Sequence, residues 1–242
     1  MGSGFIDSSG EPRVMIQNML ELWYWIIVLA IMVGVVIYFA IGYVRDSWGI
    51  LRDRLNDERP TVFAEKIAEP YSKRMVAIHW LTLVLLVIAW YLGDTLVDER
   101  NERSATLTGY LVHALVGGSV LVVTAMRMIY RSVDRMPQPA SNSLLDMIAR
   151  GVHHWLYALL VLMPLTGFMT LLMSRVGEAL VTVNAKLLPE KFTGPSIISH
   201  VSHDILMTVL MAVVAIHVLG AAWHQFIRKD GLMGRMSLRR KD

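Results

Sequence analysis

The chain has 242 residues, of which 55% are hydrophobic and 18% are charged, and its mean hydropathy is +0.48. Soluble domains are about 45–50% apolar and about 25% charged, so this composition excludes an ordinary soluble enzyme. A net charge of +3 is too small to indicate a nucleic-acid partner. The chain has no cysteine, which excludes disulfides, thiolate-held iron–sulfur clusters and C-x-x-C-H haem attachment. We therefore predict an all-α integral membrane protein.

Five apolar stretches are long enough to cross a bilayer, which takes about 20 helical residues. In chain order they cover residues 22–44, 75–93, 107–126, 152–173 and 205–223. Each is predicted to be an α-helix, because backbone groups in lipid must pair within the segment. The first is too long for a signal peptide, has no basic segment before it and is followed at once by Arg45, as in a stop-transfer anchor. Residues 47–55 fit either a short surface helix or the end of this first span.

The distribution of Lys and Arg predicts the orientation of the chain. Residues 45–74, 127–150 and 225–242 together carry 17 of these basic residues, and the remaining segments carry 6. Basic residues accumulate in cytoplasmic connections, so the C-terminus is predicted to be cytoplasmic. An odd number of spans then places the N-terminus outside.

The last span carries the most informative pattern. His203 and His217 are fourteen residues apart, which is about 40° short of four helical turns and about 21 Å along the axis. Both rings therefore leave one face of the helix at two depths. An ionisable residue inside the membrane is a functional hypothesis by default, and this spacing suits one helix that ligates two haems, one near each surface.

The other spans supply a second ligand at each depth. His79 lies near the cytoplasmic start of the second span, at the depth of His217, and His113 lies near the outer start of the third, at the depth of His203. Ligation by two imidazoles saturates the iron and favours electron transfer. Zinc is the rival interpretation, but it needs several ligands around one point, whereas these two pairs are about 20 Å apart along the helix axis.

Three further residues each allow two interpretations of their role. Arg127 follows His113 by fourteen residues, so it either meets the propionates of the cytoplasmic haem or anchors the helix among lipid headgroups. His153 and His154 open the fourth span, and one of them faces the bundle because neighbours differ by about 100°. They are candidates for passing protons to a quinone, or they are interfacial histidines at a helix start.

These motifs resemble the bacterial cytochrome b561 family in its di-haem form with four core helices. The segments that carry the resemblance span residues 70–236 and read YSKRMVAIHW, GYLVHALVGG followed by Arg127, HHWLYALLVLMPLTG, SHDILMTVLMAVVAIH and HQFIRKDGLMGRM. The resemblance implies a four-helix transmembrane bundle with haem b ligands at His79, His113, His203 and His217, and exchange of electrons with quinone near the inner haem. The cytochrome b subunits of formate dehydrogenases and nickel–iron hydrogenases share this architecture. The resemblance also implies that the protein lies in the inner membrane of a bacterium.

The chain departs from the family pattern in its first 70 residues. We predict an outer N-terminal tail over 1–21, an additional transmembrane helix over 22–44, a cytoplasmic linker over 45–72, the di-haem bundle over 73–236 and a basic cytoplasmic tail over 237–242. The additional helix has no His and no charge between residues 22 and 44. It is predicted to dock or anchor, which makes a protein partner on this helix or on the outer loops an expectation.

Three functions remain in competition. The first is a subunit that carries electrons between an outer donor or partner and the quinone pool through two haems b. The second is a stand-alone superoxide:quinone oxidoreductase, an activity of this family. An anionic substrate is drawn by positive charge, so this function is disfavoured by the nine acidic residues against six basic ones in the outer segments, although a local basic patch around Lys186 and Lys191 stays open. The third, a structural membrane protein without cofactors, leaves the depth-matched histidines unexplained.

Overall fold

The structure is a computed structural model that describes residues 13–56, 70–134 and 144–238. Its longer helices are, in chain order, α1 Arg13–Leu55, α2 Lys73–Asn101, α3 Leu107–Val133, α4 Leu144–Met173, α5 Arg175–Val181 and α6 Pro195–Ala222. A short helical turn lies between α5 and α6 over Ala185–Leu187, and two more come after α6 over Trp223–Arg228 and Leu232–Met236. The chain divides into two compact units, Met1–Tyr38 and Phe39–Asp242, and the bundle described below lies in the second. Most of the predicted tail over 1–21, the centre of the predicted linker and the last four residues lie outside the described residues.

The prediction of an all-α membrane protein with five spans is confirmed. Within the described residues, the helices that can cross a membrane are Leu29–Gly49, Lys73–Asn101, Leu107–Val133, Leu144–Met173 and Ser196–Arg228. Each of the five membrane-spanning helices is longer than the apolar stretch predicted from the sequence. Polar residues continue the helix beyond the hydrocarbon region, and hydropathy does not reveal this part of it. Residues 47–55 are accordingly the end of α1 and not a separate surface helix.

Side-chain caps define where two of the core helices begin. The Ser72 hydroxyl accepts a hydrogen bond from the amide of Met75 at the start of α2, and Thr106 does the same for Gly109 at the start of α3. Such caps satisfy backbone donors that have no partner inside the helix.

Helix α4 continues through Pro164, which contributes no amide hydrogen. Hydroxyl groups beside it add hydrogen bonds to the helix: Thr166 donates to the Met163 carbonyl at 2.8 Å, and Thr170 donates to the Thr166 carbonyl at 3.0 Å.

The core of the bundle is apolar and lies midway along the helices. Helix α4 packs most extensively on α6, and α2 packs on α3. Their buried side chains form one cluster: Leu86, Val120, Leu159, Leu160, Met163 and Leu210. Leu86 follows His79 by seven residues and Leu210 follows His203 by seven, so this cluster lies about 10 Å from either histidine along the axis. The core thus separates the two ends of the bundle, which we call the His203 end and the His217 end after the histidines of α6.

Polar contacts tie the chain together at the His217 end. The Asp134 carboxylate, just after α3, accepts hydrogen bonds from Arg74 and Ser72 at the start of α2. The hydrogen bonds from Arg74 and then Ser72 lower the pKa of Asp134 from its usual 3.8 to about 2. The carboxyl-terminal turn also reaches α2, because the Trp80 indole donates to the Met236 carbonyl at 3.1 Å.

The turn after α6 is closed by an interaction between His224 and Asp230, whose Nδ1 and Oδ2 atoms are 2.6 Å apart. The other carboxylate oxygen of Asp230 accepts a hydrogen bond from the amide of Leu232. Burial acts to raise the pKa of Asp230, but these two hydrogen bonds, together with the electrostatic effects of His224 and Arg228, outweigh it and lower the pKa. The interaction is local to a turn in which Lys229 adopts a left-handed conformation (φ 51°).

Candidate functional site

Two pairs of histidines meet inside the bundle, one at each end. The rings of His79 and His217 lie with centroids 6.2 Å apart and planes at 69°, and those of His113 and His203 are also 6.2 Å apart, with planes at 84°. Each pair joins α6 to a different helix, α2 in the first case and α3 in the second. The structure therefore brings together the residues that the sequence matched by depth, in the same two pairs.

The separation of both pairs suits a metal between two imidazoles. An imidazole nitrogen binds a transition metal at about 2.0 Å, and the ring centroid lies about 1.1 Å behind that nitrogen. Two rings that held one metal between them would therefore have centroids up to about 6 Å apart. Both pairs, at 6.2 Å, lie close to this centroid separation. The donors are also of the right kind, because histidine nitrogen is a ligand that haem iron accepts in proteins.

His203 is held by the backbone of α4. Its Nδ1 lies 2.9 Å from the carbonyl oxygen of Met163 and 3.3 Å from the hydroxyl of Thr166. A ring that donates from Nδ1 to a carbonyl has its tautomer fixed and presents the lone pair of Nε2 to a metal.

A glycine lets the His203 ring come this close to α4. A Cβ atom on Gly167 would lie 2.8 Å from Cε1 of His203, which is shorter than carbon–carbon contact distance, about 3.5–4.0 Å. The Met-Pro-Leu-Thr-Gly stretch over 163–167 thus contributes three things to the His203 ring: the Met163 carbonyl, the Thr166 hydroxyl and, at Gly167, the space that the ring occupies.

His113 is seated on α2 in a similar way. A Cβ atom on Gly93 would lie 3.1 Å from Cε1 of His113. Within the described residues, the Nδ1 atom of His113 is buried without a hydrogen bond of normal geometry, and the carbonyl of Ala89 is the backbone acceptor beside it. At both rings the acceptor is four residues before the glycine, as Met163 is before Gly167, so one arrangement serves both histidines of the His203 end.

Arg127 lies beside the pair at the other end. Its Nη1 atom is 3.0 Å from Nδ1 of His79, and its guanidinium carbon is 5.4 Å from the ring centre of Tyr157. The Nε atom of Arg127 is buried and has no hydrogen-bond partner in the described part of the chain. A cation with a spare donor beside two histidines is suited to receive a carboxylate, as a haem propionate would provide.

The neighbouring histidines at the start of α4 face different groups. The ring of His153 lies 5.1 Å from that of His217, and its Nδ1 is 2.7 Å from the Ala149 carbonyl. His154 turns toward α1, where its Nε2 is 3.5 Å from the carboxylate of Asp46. The expectation that one of the two faces the bundle therefore applies to His153.

The His203 end also carries a basic pocket. Of the two lysines around which the sequence left a basic patch open, Lys191 lines this pocket and Lys186 does not. The volume of the pocket is about 370 Å³, and Arg100, Arg103, Lys191 and His200 line it together with Glu190 and Phe192. Arg100 lies over the Phe192 ring at 5.0 Å and 3.3 Å from Nε2 of His200. The total charge of the outer segments gave no sign of this cluster, because it assembles from residues about 90 positions apart.

Comparison with known proteins agrees with the resemblance found from the sequence. The family model for prokaryotic cytochrome b561 matches residues 70–237. Cytochrome b562 of Cereibacter sphaeroides is 26% identical over 170 residues, which cover 69% of this chain and 94% of that protein. A probable superoxide oxidase, CybB of Yersinia pestis, is 26% identical over 178 residues, with the same coverage of both chains. The matched region contains all four paired histidines, whereas α1 lies before it.

Proposed function

The chain belongs to the prokaryotic cytochrome b561 family, and from that premise we propose that it carries electrons across the membrane between a donor on the outer side and the quinone pool. The family establishes a multi-pass membrane b-type cytochrome. The proposal adds two haems b, the residues that hold them and the two electron partners. It is carried by one observation, the two histidine pairs at equal ring separations of 6.2 Å on opposite sides of the apolar core.

We assign His79 with His217 to hold one haem b, and His113 with His203 to hold the other. Each bound haem would supply a one-electron couple between ferric and ferrous iron, and ligation by two histidines leaves no position for oxygen. The protein residues fix the imidazoles: the Met163 carbonyl holds the proton of His203 on Nδ1, which directs Nε2 to the iron.

Arg127 is proposed to bind a propionate of the haem at His79. An imidazole that binds iron through Nε2 carries its proton on Nδ1, so Nδ1 of His79 then no longer accepts from Arg127. The guanidinium would then be available to another acceptor, and its Nε is buried without a hydrogen-bond partner among the described residues. This favours the propionate interpretation of Arg127 over a lipid anchor.

The quinone is proposed to react at the His217 end. His153 lies against His217 and donates from Nδ1 to the Ala149 carbonyl, which leaves Nε2 free to accept or return a proton. Quinone reduction takes up protons together with electrons, and histidine exchanges protons near neutral pH. We place this end on the cytoplasmic side of a bacterial inner membrane, with the N-terminus outside, because the connections at this end carry the excess of basic residues.

A protein partner is proposed because α1 lies outside the region that the family model matches. The described apolar side chains of α1 before Phe39 include Ile27, Leu29 and Ile31, which are 49–62% exposed. These, or the outer loops, are the proposed docking surfaces. Mild solubilisation is expected to recover a stable complex with an electron-donating subunit, and a chain that is monomeric under all mild conditions would contradict this part of the proposal.

A superoxide:quinone oxidoreductase is the second candidate, and the basic pocket at the His203 end favours it. Superoxide is an anion, so its association rate rises with positive charge around its entry and falls with ionic strength. The variants Arg103→Ala and Lys191→Ala should then lower the rate with superoxide and weaken its salt dependence. Rapid superoxide-driven quinone reduction by the isolated chain would establish this candidate, and its absence would leave the partnered carrier.

The proposed function is tested by stopped-flow reduction of the holoprotein in liposomes. A soluble reductant outside should reduce both haems, and a quinone in the bilayer should reoxidise them. The variant His153→Phe should slow reoxidation by quinone while reduction from outside stays unchanged. Equal rates of reoxidation by quinone in the wild type and the variant would show that His153 has no part in the quinone reaction. Haems that quinone does not reoxidise would overturn the proposed function.

A further inference from the structure

The second half of α1 packs on α4 within the larger unit. The Phe39 ring stacks on that of Tyr157 with centroids 6.0 Å apart and planes within 4°. Both side chains are 8% exposed. One turn further along α1, a Cβ atom on Gly42 would lie only 3.4 Å from Nε2 of His154. The segment from Phe39 onward is thus in close contact with the bundle, although the family model does not cover it.

Asp46 lies where α1, α3 and α4 meet. Its Oδ2 atom is 3.5 Å from Nε2 of His154 and 3.4 Å from Nη2 of Arg131. Its backbone carbonyl accepts a hydrogen bond from the guanidinium of Arg150. Its side chain is 26% exposed, so water only partly screens these interactions. One residue of α1 therefore contacts the end of α3 and the first turns of α4.

The contact with His154 connects Asp46 to the paired histidines. Nδ1 of His154 donates to the Arg150 carbonyl at 2.8 Å, so the ring is fixed on one side by its own helix. On the other side, the protonated ring forms an ion pair through Nε2 with the Asp46 carboxylate. The next residue, His153, lies 5.1 Å from His217. A displacement of these turns of α4 would consequently change the environment of His217.

We infer that Asp46 is a positioning residue of the His217 end: it holds His154 and the first turns of α4, and through them it sets the place of His153 against His217. The inference rests on the proposed function, since its effect is read at the haem assigned to His79 and His217. In this account the α1 segment 39–47 is a working part of the di-haem unit and not only an anchor for a partner.

The variant Asp46→Asn tests this in the holoprotein, because it removes the charge and keeps the size of the side chain. Redox titration followed by absorbance should show a higher midpoint potential for the haem at His217, because the lost negative charge no longer stabilises ferric iron. This shift reports the charge of Asp46, whereas the EPR signal reports its positioning role. The low-spin EPR signal of that haem should shift, and both properties of the other haem should stay unchanged. Asp98→Asn is the matched control, as Asp98 is an exposed carboxylate on α2.

A double-mutant cycle separates positioning from a direct effect of charge. In a His154→Gln background the Asp46→Asn change should no longer shift the EPR signal, because the connecting side chain is gone. If the shift persists there, or if Asp46→Asn matches the Asp98→Asn control, the inference is wrong. Should Asp46→Asn not accumulate, Arg131→Gln removes another contact of the cluster and should shift the same signal. A wild-type protein without two haems would instead refute the proposed function, so the two failures are distinguishable.

Discussion

The close approach of α4 to His203 makes Gly167→Ala the sharpest test of the assignment at the His203 end. The added methyl group would lie 2.8 Å from Cε1 of His203, whereas carbon atoms at rest are about 3.5–4.0 Å apart. The ring must therefore retreat by about 0.7–1.2 Å, which breaks or lengthens its hydrogen bond to the Met163 carbonyl.

Loss of such a supporting contact costs about 10- to 100-fold in metal affinity, or about 1.4–2.8 kcal/mol. We expect Gly167→Ala to bind the haem at His203 more weakly by this factor and to keep the haem at His217. Gly93→Ala should have a smaller effect on the same haem, because its methyl group would be 3.1 Å from Cε1 of His113. Alanine favours a helix over glycine by about 1 kcal/mol, so weaker haem binding would not come from loss of the helix.

The assay is the rate at which each haem leaves the purified protein for excess apomyoglobin. Gly34→Ala is the matched control, since a Cβ atom there has no described atom beyond its own helix within 4 Å. Equal haem loss from Gly167→Ala and Gly34→Ala, or selective loss of the haem at His217, would refute the reasoning.

Two further predictions concern charged residues. Arg127→Leu should keep both haems and lower the midpoint potential of the haem at His79, because a cation near a propionate favours ferrous iron. An unchanged potential would instead support the interpretation of Arg127 as a lipid anchor. Asp134 has a pKa lowered to about 2 by Arg74 and Ser72, so its stabilising effect is complete above its usual pKa of 3.8 and is lost as pH falls through 2. Asp134→Asn should therefore lower the melting temperature at pH 6, with the difference from wild type shrinking between about pH 4 and pH 2, and a difference that does not depend on pH would contradict this.

The sequence predicted those properties that one helix determines alone. The five spans follow from apolar length, and the fourteen residues between His203 and His217 set both depth and face. Depth along antiparallel helices was also enough to pair His79 with His217 and His113 with His203, as the structure places them; their role as haem ligands stays a prediction.

The contacts between helices were not predictable in this way. Gly167 faces His203 only because of how α4 crosses α6, and no periodicity of either helix encodes that crossing. Likewise Asp46 was placed in a linker, and its contact with His154 depends on α1 continuing to Leu55 and packing on α4. The basic pocket at the His203 end assembles from separate segments, so the net charge of the outer segments concealed it.

Haem content per chain tests the central claim most directly. Pyridine haemochrome analysis of the purified protein should give two haems b per chain in the wild type. It should give one each in His203→Ala and His217→Ala and none when both histidines are replaced. One haem or none in the wild type, or two haems that survive either single substitution, would contradict the account.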